Sequence, residues 1–152
     1  MAFTIQSVDW EKDKHRLKAL REHVFVLEWR VPKASEFDEE DCSACHILII
    51  GDNDEAIATG RLTRKGELGR IAVKRCYRTL PVYRALFAAL IDAANKIKVP
   101  NIKVVCNLDS VSYHQSIGFV PEGQVFMESG VPRQRLVCPA ERFPLPDVTQ
   151  LH

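Results

Sequence analysis

Between Ala72 and Phe87 the chain reads AVKRCYRTLPVYRALF. An apolar, strand-like run passes through a short turn into a helix-like one. The N–H groups of a first helical turn have no partners inside the helix, and with the helix dipole behind them they hold phosphate. Lys74, Arg75, Arg78 and Arg84 gather positive charge around this turn. Glycine, which lets a backbone approach its ligand closely, is missing. Pro81 stands instead in the first turn, where proline fits but supplies no N–H. Two readings stay open. One is a phosphate cradle built from the N–H groups of Val82, Tyr83 and Arg84, with the bulk of Tyr83 limiting the approach. The other is a plain helix start with solvated arginines.

Other chemistry-bearing residues are scattered. CSACH, Cys42 to His46, has the Cys-x-x-Cys-His spacing of haem attachment. Cys76, Cys106 and Cys138 offer no second Cys-x-x-Cys to complete a zinc site, so no metal is expected, and the stretch reads as a loop entering a buried strand. An odd number of cysteines, 5, favours free thiols in a reducing compartment. Arg61 and Arg70 fall inside strand-like runs, where a charge needs a partner. They either pair with Glu28 or Asp38, or bind an acidic ligand.

Elements must position these residues. At 152 residues, 46% hydrophobic and 27% charged, the chain is expected to form a single domain over residues 1–152, with 139–152 as a tail. A net charge of +1 gives no global field towards nucleic acid or membrane, and neither is expected as a partner. The start MAFTIQSVDWEKDK has no signal-peptide pattern, and a cytoplasmic protein is expected. FTIQSV reads as a strand. Leu17, Leu20, Val24 and Leu27 follow helical spacing from about Trp10 to Glu28, with Asp9 as N-cap. Pro32 then interrupts the chain. CHILIIG, AIATGRLT and ELGRIAVK read as a strand meander, and a buried helix follows Pro81. NIKVVCN is a further strand, SVSYHQSIG a short helix ending at Gly118, and FVPEGQVFME with RQRLVC a last hairpin. The order β-α-β-β-β-α-β-α-β-β predicts an α/β (α+β) domain: a mixed, mostly antiparallel central sheet covered by helices.

With that order, ELGRIAVKRCYRTLPVYRALFAALIDAA and VVCNLDSVSYHQSIGFVPEG resemble the central acyl-CoA motif of the GNAT N-acetyltransferase superfamily and the elements that follow it. LREHVFVLEWRVP, EFDEEDCSACHILI, ATGRL, GRIAV and GFVPEGQVFMESGVP are similar to the small ElaA/YjcF-like group. The resemblance covers about residues 15 to 137. It implies a GNAT-like fold and transfer of an acyl group from acetyl-CoA, as co-substrate, to an amine of a small molecule or peptide. A homodimer is left open. Two alternatives stand beside it: a degenerate GNAT-fold binding protein without catalysis, and an acyl-homoserine-lactone synthase-like enzyme, which VFVLEW and EFDEED also resemble.

The resemblance also implies roles. The family's loop pattern, Gln/Arg-x-x-Gly-x-Gly/Ala, falls on Arg78, Thr79, Leu80, Pro81, Val82 and Tyr83. Only the arginine matches. Main-chain groups of Ile71, Ala72 and Val73 are expected to hold the pantetheine arm and polarise the thioester. Asn107 matches an asparagine that bonds that arm. The position of the usual acid tyrosine is His114, with Tyr113 before it as the alternative. Glu28 lies where the group has a glutamate and is the candidate base, with Asp38, Asp41 and His46 as further candidates near the acceptor, and Cys42 or Cys45 expected there by position. Arg61 and Arg70 complete the candidate acceptor-binding set.

Overall fold

The computed structural model describes residues 3–28, 37–128 and 130–145. The interruption expected at Pro32 lies outside them. Strand β1, Thr4–Val8, leads into α1, Trp10–Arg21. Asp9 caps α1 by accepting from the Glu11 N–H at 2.9 Å. Acidic Glu11 and Asp13 in the first turn, and basic Lys18 and Arg21 in the last, complement the helix dipole. From Glu22 to Glu28 the winding widens into a π-helix. Its i→i+5 pattern turns each residue through a smaller angle, so the apolar stripe loses phase. Val24 and Phe25 stay buried, whereas Leu27, expected on the same face, is 73% exposed.

Strands β2 (Cys45–Ile50), β3 (Ala56–Leu62) and β4 (Leu68–Val73) complete an antiparallel sheet of order β1-β2-β3-β4. Helix α2, Leu80–Lys96, follows β4. Strand β5 (Asn101–Asn107), helix α3 (Val111–Ser116), β6 (Val120–Glu128) and β7 (Val131–Pro139) come next, and the second antiparallel sheet has the order β5-β7-β6. Gly118 ends α3 at φ +110°, a conformation that suits glycine.

Burial explains the stacking. The α2 residues Val82, Leu86, Leu90 and Ala94 recur every four positions and pack with Ile47, Ile49, Ile57 and Leu62. On the opposite face Trp10, Leu17, Leu20, Val24 and Phe25 cover Leu48, Ile50 and Ala72. Strand β2 is therefore apolar on both sides, as CHILII requires. Gly60 lets α2 press onto β3: a Cβ there would lie 2.7 Å from Leu90 Cδ1 and 2.9 Å from Ile71 Cδ1. Cys106, Phe119, Leu136 and Cys138 form a third cluster under the second sheet. No helix among the described residues is long and apolar enough to cross a membrane.

Candidate active site

The two sheets meet at one point. Strands β4 and β5 run parallel and are joined by a single bridge, Glu67 to Lys103, where the Lys103 N–H donates to the Gly66 carbonyl at 2.8 Å. No ladder continues from there towards Val73 and Asn107, so a cleft opens between the C-terminal halves of these strands. A cleft beside unpaired strand edges is where main-chain groups can reach a ligand.

Register decides which groups face it. Strand β4 carries one extra residue against β3: Thr59 pairs with Ala72, and Arg61 with Gly69. The bulge contains Arg70 at φ +50°, a left-handed conformation uncommon for arginine. Beyond it the Lys74 N–H donates to the Ile57 carbonyl at 2.9 Å. Alternation of an antiparallel ladder then commits the Ala72 main chain to Thr59 and turns that of Ile71 and Val73 to the cleft edge. This corrects the expectation for Ala72. The Val73 carbonyl already accepts from Arg78 Nε at 3.0 Å.

The turn after β4 is not the cradle expected from Val82, Tyr83 and Arg84. Helix α2 starts at Leu80 with Thr79 as N-cap, and the Thr79 side chain makes no capping bond. The Thr79 N–H is spent on the Tyr77 carbonyl at 2.8 Å, and the Tyr83 N–H on the Thr79 carbonyl at 3.1 Å. The Arg84 N–H falls in the regular helical ladder opposite Leu80. Two donors remain, the N–H groups of Leu80 and Val82, which find no acceptor among the described residues. Val82 is wholly buried, so its N–H is sealed from solvent and from a ligand, and only the Leu80 N–H is left within reach of an anion. The ring of Tyr83 packs against the α2 core cluster, and burial pushes its hydroxyl pKa up. That places its bulk largely inside.

Arginine side chains, rather than amides, dominate this turn. Arg78 Nη2 donates to Glu28 Oε2 at 2.8 Å, while Arg75 Nη2 lies 3.5 Å from Glu28 Oε1. Glu28, at the end of the π-helix, is thus carried over to the turn, and the hydrogen bond from Arg78 holds its carboxyl below the usual range. The partners expected for Arg61 and Arg70 included Glu28; both take Asp38 instead.

On the other side of the cleft, Asn107 ends β5 and is exposed, with no capping bond from its side chain. His114 is half-buried on α3, with Nδ1 2.8 Å from the Ser110 carbonyl. A carbonyl only accepts, so Nδ1 carries the proton and Nε2 donates only as imidazolium. The Phe119 ring meets the imidazole edge-on at 5.5 Å, and Tyr113 lies beside it at 5.6 Å. Tyr113 is 38% exposed.

The acidic segment forms a buried ion network. Asp38 caps a short 3-10 turn, Glu39–Cys42. Asp41 accepts from Arg21 Nη1 at 2.7 Å and Arg61 Nη1 at 3.1 Å; Asp38 accepts from Arg61 Nη1 at 2.7 Å and Arg70 Nη2 at 3.1 Å. Burial alone would raise the Asp41 carboxyl, but the hydrogen bond and charge of Arg21 and the charge of Arg61 hold it below the usual range. Arg61 is 6% exposed and His46 1%. His46 stacks on Trp10 at 5.2 Å, with Nε2 2.8 Å from the Asp41 carbonyl. Burial, the largest influence, pushes its pKa down. The acceptor roles expected for His46 and Arg61 therefore have no surface to act from. Asp38 and Arg70 reach solvent but hold each other. Asp41 with Arg21 at the centre of this network was not foreseen as a pair; a helix arginine on the same face as Leu17 and Leu20 was the available signal. Cys42 and Cys45 are free thiols where the 3-10 turn passes into β2, away from the β4–β5 edge.

Comparison with known proteins decides the family. Residues 18–138 match the family model described as an acetyltransferase (GNAT) domain. The chain belongs to the GNAT acetyltransferase family. The "Uncharacterized N-acetyltransferase YjcF" of Bacillus subtilis is 28% identical over 133 residues, 83% of this chain and 94% of that one. Protein ElaA of Escherichia coli is 27% identical over 127 residues, 78% and 82% of the two chains. A crystal structure of a putative N-acetyltransferase from Lactobacillus plantarum superposes with a TM-score of 0.77 at 21% identity, over 92% of this chain and 99% of that one. These relatives place the GNAT chain in the ElaA/YjcF-like group, and its activity class is that of an acyltransferase.

Proposed function

We propose that this GNAT protein transfers an acetyl group from acetyl-CoA to a primary amine of a small molecule or peptide. The observation that carries the reading is the cleft between β4 and β5. One edge, that of β4, turns the Ile71 main chain and the Val73 N–H outward; β5 ends at Asn107, α3 with His114 follows it in the chain, and the helix start after β4 carries Lys74, Arg78 and Arg84. In this reading the Val73 N–H faces the thioester and Asn107 bonds the pantetheine arm. Arg78, Arg75, Lys74 and Arg84, with the Leu80 N–H, meet the diphosphate. Such preorganised donors supply most of the stabilisation that an acyl transfer needs.

The amine nitrogen attacks the thioester carbonyl carbon. A C–N bond forms and the C–S bond breaks. Glu28 takes the proton that the ammonium loses before attack, the imidazolium of His114 gives its Nε2 proton to the departing thiolate, and the second proton shed by the attacking nitrogen returns to the imidazole so left. Tyr113, one position away on α3, points about 100° from His114 and is the lesser acid candidate.

Incubation with acetyl-CoA and an amine library, read by mass spectrometry of the acetylated product, tests this. Thiol reagents are unsuitable, because Cys42 and Cys76 are exposed and would react. Acetylated amine that depends on His114 is the expected result. CoA binding without any product supports the second reading, a GNAT-fold binding protein, which the loss of amide donors at Pro81 and Tyr83 favours. An N-acyl homoserine lactone as product would select the synthase-like alternative.

A further inference from the structure

Glu28 is the terminal residue of a π-helical turn, yet its carboxylate reaches the arginines of the turn after β4. Both of its oxygens are engaged, Oε2 by Arg78 at 2.8 Å and Oε1 by Arg75 at 3.5 Å. Arg78 in turn folds back along the strand end, with its Nε on the Val73 carbonyl at 3.0 Å. Tyr83 also borders this ion pair and feels both of its charges. A protein carboxylate therefore occupies the anion position of a cationic cluster at the turn before α2, where the Leu80 N–H finds no acceptor among the described residues. The Glu28 side chain is only 18% exposed, so solvent screens the pair less than it would a surface bridge.

We infer that Glu28 is a built-in competitor for the phosphate site: the diphosphate of the acyl donor takes Arg78 and Arg75 from it, and the released carboxylate becomes the base for the acceptor ammonium. This rests on the acyl-CoA reading above. The π-helix fits such a role, because its winding is less regular than that of an α-helix and it recurs at functional sites. The exchange swaps one charge-assisted pair for another, so donor binding needs no unpaired arginine at any stage. It also imposes an order. Until the donor is bound, Glu28 is committed to Arg78 and the acceptor finds no base. By linkage, whatever Glu28 gains from Arg78 in the free chain is subtracted from donor affinity.

The test is calorimetric titration of CoA into the full chain at fixed ionic strength, for the parent, Glu28→Gln, Arg78→Gln and the double variant. With the competitor removed, Glu28→Gln is expected to bind CoA about three- to tenfold more tightly, the scale of a half-buried ion pair. In the Arg78→Gln background the same change should alter affinity less than about twofold, because the closer partner is gone and only the exposed Arg75, at 3.5 Å, remains. Glu28→Ala, which leaves no side-chain amide to bond Arg78, must move affinity in the same direction as Glu28→Gln. Parent and Glu28→Gln binding CoA equally, or the variant binding it more weakly, overturns the competition and leaves the acyl-CoA reading standing. No binding by either at millimolar CoA overturns both.

Discussion

Replacing Asp41 by Asn tests the ion network at its centre. Asp41 and Arg21 are each 1% exposed, with Arg21 Nη1 2.7 Å and Nη2 3.4 Å from the carboxylate oxygens. Arg61 Nη1 adds a bond of 3.1 Å, and the Asp38 N–H donates to Asp41 Oδ2 at 3.2 Å. Removing one member of a buried pair leaves the other as an uncompensated charge, which costs about 3–5 kcal/mol. Two features lower the estimate. Asn keeps one acceptor oxygen, and Arg21 keeps its cation–π contacts with Phe37 at 4.9 Å and Trp10 at 5.8 Å. About 3 kcal/mol is therefore expected for Asp41→Asn, and more for Asp41→Ala. For a domain of this size each kcal/mol shifts Tm by about 2–4 °C, so Tm should fall by about 6–12 °C. Urea unfolding at pH 7 and a calorimetric scan measure the two quantities. The paired replacement Arg21→Met with Asp41→Leu removes both buried charges and leaves Arg61 on Asp38, so it should recover most of the loss. A loss below about 1 kcal/mol for Asp41→Asn, or a paired variant no better than the single one, would refute the assignment of this network as the lock between α1, the 39–42 turn and β3.

Burial holds the His46 pKa down, so the unfolded chain binds a proton near pH 6.5 that the folded chain refuses. Stability should then fall as pH drops below about 6.5, and His46→Gln should flatten the urea midpoint between about pH 6.5 and 5. Asp41 has the opposite chemistry but the same sign: its depressed pKa contributes stability above the usual carboxylate range that is lost only at more acidic pH, below about 4. Gly60→Ala drives a methyl towards Leu90 and Ile71 and should cost about 1–3 kcal/mol in urea unfolding, without changing the CD spectrum. His114→Gln keeps a polar side chain but cannot donate from an imidazolium, so kcat for the acetylated amine should drop about a hundredfold or more while the KM for acetyl-CoA changes little. An unchanged kcat would remove His114 from the proton path.

Element order and fold class were legible because each rests on local pattern. The HILII run of β2, the four-residue stripe of α2 and Gly118 at the end of α3 signal their elements within a few residues. What the pattern could not carry were features set by long-range register. That Arg70 sits in a bulge, and that Ile71 and Val73 rather than Ala72 face the cleft, depends on one extra residue in β4 counted against β3. The helix-compatible spacing of Leu17, Leu20, Val24 and Leu27 hides the change to π winding at Glu22, because the spacing alone cannot show how widely the backbone turns. Glu28 was legible as a candidate base but not as the partner of Arg78, 50 residues away in sequence.

The candidate site divides by the kind of group it uses, and that division bears on how a glycine-free turn could hold phosphate. Main-chain donors on β4 depend on pairing with β3, so side-chain replacement at Ile71 or Val73 leaves their direction intact. Amides at the start of α2 depend on loop conformation, and here Pro81, the bond from Tyr83 to Thr79 and the burial of Val82 leave only that of Leu80 within reach. Arginine can replace such amides as phosphate ligands, but a buried or half-buried guanidinium needs an anion at all times, whereas an amide merely needs one hydrogen-bond acceptor. A turn that relies on arginines rather than glycine amides therefore gains from a resident carboxylate at Arg78, 26% exposed, while Arg75, 79% exposed, is solvated without one. Glu28 fills that place from the end of the π-helix, and on the competition proposed above the same side chain turns to the acceptor once the phosphate arrives.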